Sequence, residues 1–256
     1  MPAPLLQVID VRVHFGGIVA LDGVSFEVYP DQVVGLIGPN GAGKTTLFNC
    51  LSRLYPVNSG DILFAQKSIL NVPAHGMCHI GIGRTFQNLA LFARMSVLDN
   101  VMAGGHSRTA SNFLSDALAL AGVRRQDRQL RDEALALLDY LQLGDVAYLP
   151  VADLPFGTRK RVELARALAI QPKLLLLDEP AGGLNHEEVK EFGELIHKIR
   201  ADFKLTVLLV EHHMSLVMQV SDQVVALDFG RKIAAGTPAE VQQHPDVISA
   251  YLGTGD

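Results

Sequence analysis

The sequence has 256 residues, of which 48% are hydrophobic and 19% are charged. This balance supports a large buried core and excludes a chain that is mostly disordered. The formal net charge is −5, which argues against a dedicated nucleic-acid-binding protein, because such proteins carry a basic excess.

The first elements in chain order are strands. Val24–Tyr29 alternates apolar and polar residues, which predicts a half-buried strand, and Val33–Ile37 predicts a buried one. A glycine-rich turn and a helix over Thr45–Leu54 follow, so this region is predicted to be the first half of a β-loop-α unit.

Helical periodicity replaces the strand pattern from about Leu89 to Leu149. An apolar stripe runs through Ala134, Leu138 and Leu141 at the spacing of one helix face. The charged run Arg124–Asp132 just before this stripe is interpreted as a solvated helix face.

A second β-α-β pattern follows and indicates a largely parallel sheet with right-handed crossovers. Thr237–Glu240 is a capping box with proline at the first helical position, and a last helix is predicted over Pro245–Leu252. The predicted strands of the second pattern are Leu174–Leu177, Leu205–Val210 and Val224–Leu227, and its predicted helix is Glu187–Arg200.

The sequence shows neither a readable signal peptide nor a membrane span. Residues 1–11 lack a basic stretch followed by an apolar one, and the longest apolar runs are strand-sized, whereas a span needs about 18 apolar residues. Cys50 and Cys78 have no ligand-like spacing, so we predict unpaired thiols in a reducing compartment. Any membrane association is expected to come through a partner.

A phosphate-binding loop is predicted at Gly38–Thr45, which fits the pattern G-x-x-x-x-G-K-[ST]. Glycines let several backbone N–H groups face one oxyanion, and the positive end of the next helix adds to them. Lys44 can reach the β- and γ-phosphates, and the Thr45 hydroxyl can bind Mg²⁺. The alternative is a chance glycine-rich turn, but the strand before and the helix after are the context that the motif requires. The candidate residues are Gly38, Pro39, Asn40, Gly41, Ala42, Gly43, Lys44, Thr45 and, as a less defined contributor, Thr46.

Two carboxylates, Asp178 and Glu179, end the apolar run Leu174–Leu177. A buried parallel strand delivers its last residues to the ligand-binding edge of the sheet. We therefore expect Asp178 to bind Mg²⁺ and Glu179 to polarise the water that attacks the γ-phosphate. Such a pair alone is often a solvated strand end; together with the Gly38–Thr45 loop it indicates an NTPase.

These residues and four further segments resemble the ABC ATPase family over essentially the whole chain. Gln87 matches the glutamine that senses Mg²⁺ and the attacking water, and His212 matches the switch histidine that contacts the γ-phosphate, although His213 offers a competing register. Arg161–Leu168 is similar to the helix that follows the family signature. The signature itself corresponds to Leu154, Pro155, Phe156, Gly157 and Thr158.

The resemblance also implies roles for Phe15 and for the loop Ala181–Asn185. Phe15 matches the aromatic residue that stacks on adenine, although without the resemblance a phenylalanine is more often a core residue. Ala181–Asn185 matches the loop that crosses the interface between two ATPase subunits.

The resemblance implies that ATP and Mg²⁺ are sandwiched between two such subunits. One subunit gives the phosphate loop and the other gives the signature helix, so ATP favours closure and hydrolysis reopens the dimer. Pro155 stands where serine is usual and offers neither a hydroxyl nor an N–H group, Phe156 and Thr158 also depart from the signature, and Asn185 replaces a common aspartate. We hypothesise that the site completed by this signature is weaker than the site that contains this chain's Glu179.

A closer resemblance is to the ATP-binding subunits of branched-chain amino-acid uptake systems. It rests on Gly81–Asn88, Met95–Val101, the turn Glu211–Met214 and the ending Gly236–Gly253. Such systems pair two ATPase subunits, identical or paralogous, with integral-membrane permeases and a substrate-binding protein, and their relatives move urea, amides and other small organic solutes. The resemblance therefore implies an importer subunit held by its permeases at the cytoplasmic face of the cell membrane.

The family docks its permease at residues 88–101. The apolar side chains of this segment either form a shallow docking groove or fill the local core. They are Leu89, Leu91, Phe92 and Met95.

Two rival classes remain. An ABC ATPase of iron–sulfur cluster assembly has a similar size, and only the segment around Gln87 and the C-terminal ending speak against it, whereas chromosome-type and ribosome-type members are excluded by length. A GTPase switch is disfavoured because the sequence has no Asn-Lys-x-Asp segment.

The resemblance implies an α/β fold, namely a P-loop NTPase (RecA-like) parallel sheet core with an antiparallel β subdomain and a helical insertion. We predict one ABC ATP-binding domain over residues 1–256. Its ATPase core and β subdomain are expected at approximately 1–87 and 166–235, the helical subdomain at 88–165, and a C-terminal helical tail at 236–256.

Overall fold

The computed structural model describes residues 3–108 and 121–252. The chain divides into two compact units, of which the first comprises Met1–Met77 and Lys173–Asp256 and the second comprises Cys78–Pro172. The predicted helical subdomain, residues 88–165, lies inside the second unit. Parts of the predicted helical region (109–120) and of the predicted tail (253–256) lie outside the described residues.

The strands are, in chain order, β1 (Leu6–Phe15), β2 (Ile18–Val28), β3 (Val33–Ile37), β4 (Ser59–Phe64), β5 (Lys67–Ser68), β6 (Ile82–Arg84), β7 (Leu174–Asp178), β8 (Thr206–Val210), β9 (Gln223–Asp228) and β10 (Arg231–Gly236). The α-helices are α1 (Lys44–Leu51), α2 (Val97–Gly105), α3 (Ala121–Tyr140), α4 (Phe156–Leu168), α5 (His186–Phe203), α6 (Met214–Val220), α7 (Pro238–Gln242) and α8 (Pro245–Leu252).

The first unit contains a largely parallel sheet, as predicted. Its strands in this unit follow the order β10-β9-β3-β8-β7, and β3 runs parallel to both β8 and β9. Every residue of β3, β7 and β8 is buried, which explains why each reads as a continuous apolar run. The order places the carboxyl ends of β3, β7 and β8 side by side at one edge.

The same unit holds the predicted antiparallel sheet, with the strand order β2-β1-β4-β5. Strand β1 buries Leu6, Val8, Val11 and Val13, and none of its polar residues is buried. This sheet leads into the hairpin between β1 and β2, where Phe15 faces Ile18.

Two helix boundaries differ from the sequence-based expectation. Helix α1 ends at Leu51, three residues before Leu54, because Arg53 adopts a left-handed conformation with φ of 60°. Helix α5 continues past the predicted end at Arg200 to Phe203, and Lys204, whose φ is 51°, is its C-cap. The capping box at Thr237 is present as predicted.

The second unit is mainly helical within its described residues, but the helices are shorter than the predicted region from Leu89 to Leu149. Residues 89–96 form a loop, and α2 begins only at Val97, after the N-cap Ser96. In α3 the residues Ala134 and Leu138 are buried, and the charged side chains of the described part of the predicted run lie on the solvated face, as expected.

None of the helices in the described part of the chain combines the length and the apolar character that crossing a membrane requires. Neither Cys50 nor Cys78 forms a disulfide within the part of the chain that the structure describes. Burial raises the pKa of Cys50 to about 11, so its thiol is an inert core group.

Candidate functional site

The turn between β3 and α1 is the predicted phosphate loop. Gly43 has φ of 98°, and a Cβ on it would lie 2.7 Å from the carbonyl oxygen of Ala20, so only glycine fits this position. Asn40 and Gly41 at the tip of the loop are exposed, as is Thr45 in the first turn of α1. The loop therefore opens to solvent in front of a helix N-terminus, which is the arrangement that binds anions.

Lys44 is folded into this loop. The residue is only 6% exposed, and its Nζ donates hydrogen bonds to the carbonyl oxygens of Gly38 at 2.6 Å and Pro39 at 2.9 Å. Burial lowers the pKa of Lys44, and the negative charge of Glu179 opposes that effect. The loop carbonyls thus hold the ammonium group in a place where phosphate oxygens can replace them as partners.

Asp178 and Glu179 occupy the carboxyl end of β7, as predicted. Asp178 is 3% exposed and pairs in register with Val210, the last residue of β8. Glu179 leaves the strand with φ of 47°, a left-handed conformation that is uncommon for a glutamate. Its N–H group donates to the carbonyl oxygen of Val210 at 2.9 Å, which fixes the strained residue to the neighbouring strand.

Glu179 is also in direct contact with His212. Glu179 Oε1 and His212 Nε2 are 2.7 Å apart and form a hydrogen bond. The two residues lie just after the adjacent strands β7 and β8. The structure therefore brings together two of the predicted site residues, and it selects His212 rather than His213 as the partner of Glu179.

Sequence analysis missed the importance of Glu211. This residue is 1% exposed, and its carboxylate accepts hydrogen bonds from the N–H groups of Ala181, His212 and His213. The acidic residue before the histidines was visible in the sequence, but its partners are backbone groups, which leave no side-chain signal.

The donors near the loop suit a magnesium ion that arrives with its nucleotide. Thr45 and Asp178 carry hard oxygen ligands, and Mg²⁺ usually takes one or two such groups together with phosphate oxygens and waters. Within residues 3–108 and 121–252, no three His, Cys, Asp or Glu side chains form a cluster that could hold a metal ion unaided.

Phe15 is 45% exposed, so the core alternative does not describe it. Its ring meets the ring of Tyr55 edge to face, with centroids 5.2 Å apart and an interplanar angle of 74°. This contact fixes the orientation of Phe15 and leaves part of its surface open for stacking.

Gln87 belongs to the second unit, where it is exposed in the loop after β6. Helix α4 fixes the backbone on both sides of it, since Phe86 donates its N–H to Glu163 at 2.8 Å and Arg166 donates to the carbonyl oxygen of Ala90. Glu163 is 2% exposed; burial raises its pKa, an effect opposed by the Phe86 amide and by neighbouring cations. The buried polar face of α4 therefore defines the position of this loop.

The signature-like residues form the start of α4. Leu154 is buried, Pro155 is the N-cap and gives no side-chain cap, and Gly157 and Thr158 lie half-buried in the first turn. Phe156 is 39% exposed, and the side-chain charges of Arg159 and Lys160 each lie 5.7 Å from its ring centroid. The helix thus presents a positively polarised N-terminus despite the proline.

Of the four apolar side chains predicted either to form a docking groove or to fill the core, none is fully buried. Phe92 is 54% exposed and Met95 38%, while Leu89 and Leu91 are half-buried. The fully buried Asn100 holds this loop in place, because its side chain accepts from the N–H of Phe92 at 2.8 Å and donates to the carbonyl oxygen of Phe92 at 3.1 Å. The segment is an ordered surface with exposed apolar groups.

Two family models match the chain. A model described as ABC transporter matches residues 21–182, and a model described as Branched-chain amino acid ATP-binding cassette transporter matches residues 231–256.

Individual relatives extend the similarity to the whole chain. The high-affinity branched-chain amino acid transport ATP-binding protein LivG of Escherichia coli strain K12 is 40% identical over 253 residues, which are 99% of each chain. The corresponding protein BraF of Pseudomonas aeruginosa shows the same identity and coverage. Among solved structures, the ADP conformation of MJ1267, an ATP-binding cassette of an ABC transporter, has a TM-score of 0.85 at 28% identity and covers 99% of this chain and 100% of that one.

Proposed function

Since the chain belongs to the ATP-binding family of ABC transporters and is a transport-coupled ATPase, we propose that it powers the import of a branched-chain amino acid or a related small organic solute. The full-length similarity to LivG and BraF supports this solute class. The match of residues 231–256 to the branched-chain model favours it over an ATPase of iron–sulfur cluster assembly.

The hydrolytic step rests on one observation, the 2.7 Å contact between Glu179 and His212 at the sheet edge next to the phosphate loop. Lys44 and the loop amides bind the β- and γ-phosphates. Glu179 then orients the attacking water and accepts its proton, while His212 contacts the γ-phosphate and keeps the glutamate in place. The hydrogen bond between the two side chains links recognition of the γ-phosphate to activation of the water.

Thr45 and Asp178 are the residues that would hold Mg²⁺. When bound, the ion would supply positive charge that offsets the negative charge of the triphosphate during hydrolysis. We also propose that Gln87 senses the ion and the attacking water, and that Phe15 stacks on the adenine ring.

A second ATPase subunit, identical or paralogous, completes the nucleotide site. Residues 154–158 of one subunit offer the N-terminus of α4 to the γ-phosphate bound by the other, and the loop Ala181–Asn185 lies at their interface. Asn185 is the N-cap of α5 and accepts from the N–H groups of Glu187 and Glu188, both at 3.0 Å. Because asparagine caps a helix as well as aspartate does, the replacement of the usual aspartate keeps this loop anchored.

Integral-membrane permeases are the second class of partner. The exposed side chains of Phe92 and Met95 supply apolar contact area on a loop that Asn100 holds rigid, which suits a docking surface. A substrate-binding protein acts on the permeases from the other side. These contacts keep the chain at the cytoplasmic face of the membrane.

Reconstituted transport tests the proposal. The chain is purified with its permeases and partner ATPase, placed in lipid vesicles with the binding protein, and supplied with Mg-ATP and either labelled leucine or labelled urea. We expect ATP-dependent uptake of leucine, and ATP hydrolysis in the absence of any uptake of either solute would contradict the importer assignment.

Glu179→Gln tests the hydrolytic role in the same vesicles. The amide cannot accept a proton from water, so the rate of hydrolysis is expected to fall about 100-fold or more while ATP still binds and holds the dimer closed. The control is Glu240→Gln, which changes an exposed glutamate of the α7 capping box. A Glu179→Gln protein that hydrolyses ATP at the normal rate would remove Glu179 from this role.

A further inference from the structure

Glu211 connects two segments that the proposed mechanism treats separately. Its Oε1 accepts from the N–H of Ala181 at 2.7 Å, and its Oε2 accepts from the N–H groups of His212 at 2.8 Å and His213 at 3.0 Å. Ala181 begins the loop assigned to the subunit interface, and His212 is the residue assigned to the γ-phosphate. One buried carboxylate therefore holds both segments by their backbones.

These contacts close a ring of hydrogen bonds at the sheet edge. Glu179 Oε1 lies 2.7 Å from His212 Nε2, and the N–H of Gly182 donates to the carbonyl oxygen of Glu179 at 3.1 Å. Starting from Glu211, the ring passes through His212 and Glu179 to the Ala181–Gly182 turn and returns to Glu211. A displacement of any member must therefore be absorbed by the others.

The chemistry of the ring requires an acceptor with two separate oxygens. Three N–H donors converge on Glu211, and a residue that is 1% exposed has little access to water as a substitute partner. Glutamine has the same shape but only one acceptor oxygen, and its NH₂ group would face a backbone N–H. Aspartate keeps both oxygens on a shorter side chain.

We propose that Glu211 is a positioning residue for ATP hydrolysis, which holds His212 in register with Glu179 and joins this pair to the interface loop beginning at Ala181. The proposal rests on the roles proposed above for Glu179 and His212. In this proposal, Glu211 couples contact with the second subunit to the position of the attacking water. The coupling arises because the interface loop and the histidine turn both donate to its carboxylate.

A double-mutant cycle tests the proposal on the full chain in its transporter. Glu211→Gln, His212→Ala and the double variant are compared with the wild type for kcat, for the KM of ATP and for thermal stability. We expect Glu211→Gln to lower kcat about 10- to 100-fold with the KM of ATP within about twofold of the wild type, because Lys44 and its loop are untouched. In the double variant kcat should be little lower than in His212→Ala alone, because Glu211 acts through His212.

Matched controls separate positioning from general destabilisation. Glu240→Gln makes the same chemical change at an exposed glutamate of the same unit, which accepts from the N–H of Thr237 at 2.8 Å, and it should leave kcat at the wild-type value. Glu211→Asp keeps both oxygens and should recover part of the rate. If Glu211→Gln fails to fold, Glu211→Asp replaces it in the cycle.

Three outcomes would overturn the proposal. The first is a wild-type kcat for Glu211→Gln. The second is a kcat of the double variant that is lowered by the product of the two single effects. The third is a decrease in kcat that parallels the decrease in melting temperature and equals the decrease caused by Glu240→Gln. A wild-type rate for His212→Ala would also refute the role of His212 itself, whereas an effect of His212→Ala without an effect of Glu211→Gln would refute only the present inference.

Discussion

Tyr251→Phe removes one oxygen atom from the contact between the C-terminal helix and the phosphate loop. The hydroxyl of Tyr251 in α8 accepts a hydrogen bond of 2.9 Å from the N–H of Gly38, 213 residues earlier in the chain. Gly38 is buried at the end of β3, so the substitution leaves its N–H without this acceptor while the ring stays in place. The loop then loses its hydrogen bond to the C-terminal helix, while its own residues are unchanged.

The expected size of the effect follows from this single bond. A neutral hydrogen bond contributes about 1 kcal/mol net, and for a chain of this length such a loss lowers the melting temperature by about 2–4 °C. If the brace also pre-orders the loop for its ligand, the same 1 kcal/mol corresponds to about a fivefold weaker affinity for ATP.

Two measurements check the prediction on the full chain. Thermal unfolding gives the change in melting temperature, and titration with ATP in the absence of Mg²⁺ gives the dissociation constant without turnover. Tyr148→Phe is the control, because Tyr148 is 64% exposed and belongs to the second unit. Unchanged stability and affinity in Tyr251→Phe, or an equal loss in Tyr148→Phe, would refute the bracing argument.

Three further substitutions give distinct expectations. Lys44→Ala should abolish ATP binding, hydrolysis or both, and retention of both in a binding and turnover assay would argue against the phosphate loop. Glu163→Leu should lower the free energy of unfolding by about 1–3 kcal/mol in urea, because it leaves the N–H of Phe86 without its buried acceptor, whereas Glu133→Leu in a half-buried pair should lower it by less than about 1 kcal/mol; equal losses would contradict the burial argument. Pro155→Ser supplies an N-cap hydroxyl, so ATP affinity or the ATPase rate should rise, and no rise in either would contradict the hypothesis of a weakened signature.

The sequence was sufficient for the parts of the site that depend on local pattern. The loop at Gly38–Thr45 needs glycines because of its backbone angles, and Asp178 follows an apolar run because β7 is buried on both faces. Both constraints act on neighbouring residues, so they are visible in a short window. Strand β10 was not predicted, because Ala234 is its only buried residue and the strand therefore has no regular apolar pattern.

The supporting contacts could not be read from the sequence. Glu211 accepts from an amide 30 residues away and Glu163 from an amide 77 residues away, and an amide donor is offered by almost any residue type. A buried carboxylate of this kind therefore looks like an ordinary surface glutamate until the fold is known. The loop over residues 89–96 was likewise mistaken for helix, because the side chain of Asn100 that organises it bonds to backbone groups such as the N–H of Phe92.

The partly open ring of Phe15 has a consequence for base selectivity. The ring of Phe15 meets Tyr55 edge to face, and a phenyl ring in the proposed stacking role has no polar atom with which to read the exocyclic groups of a base. Discrimination between purines would then be weak at this position. With Lys44 in its proposed role, the length and charge of the polyphosphate would decide which nucleotides the protein accepts.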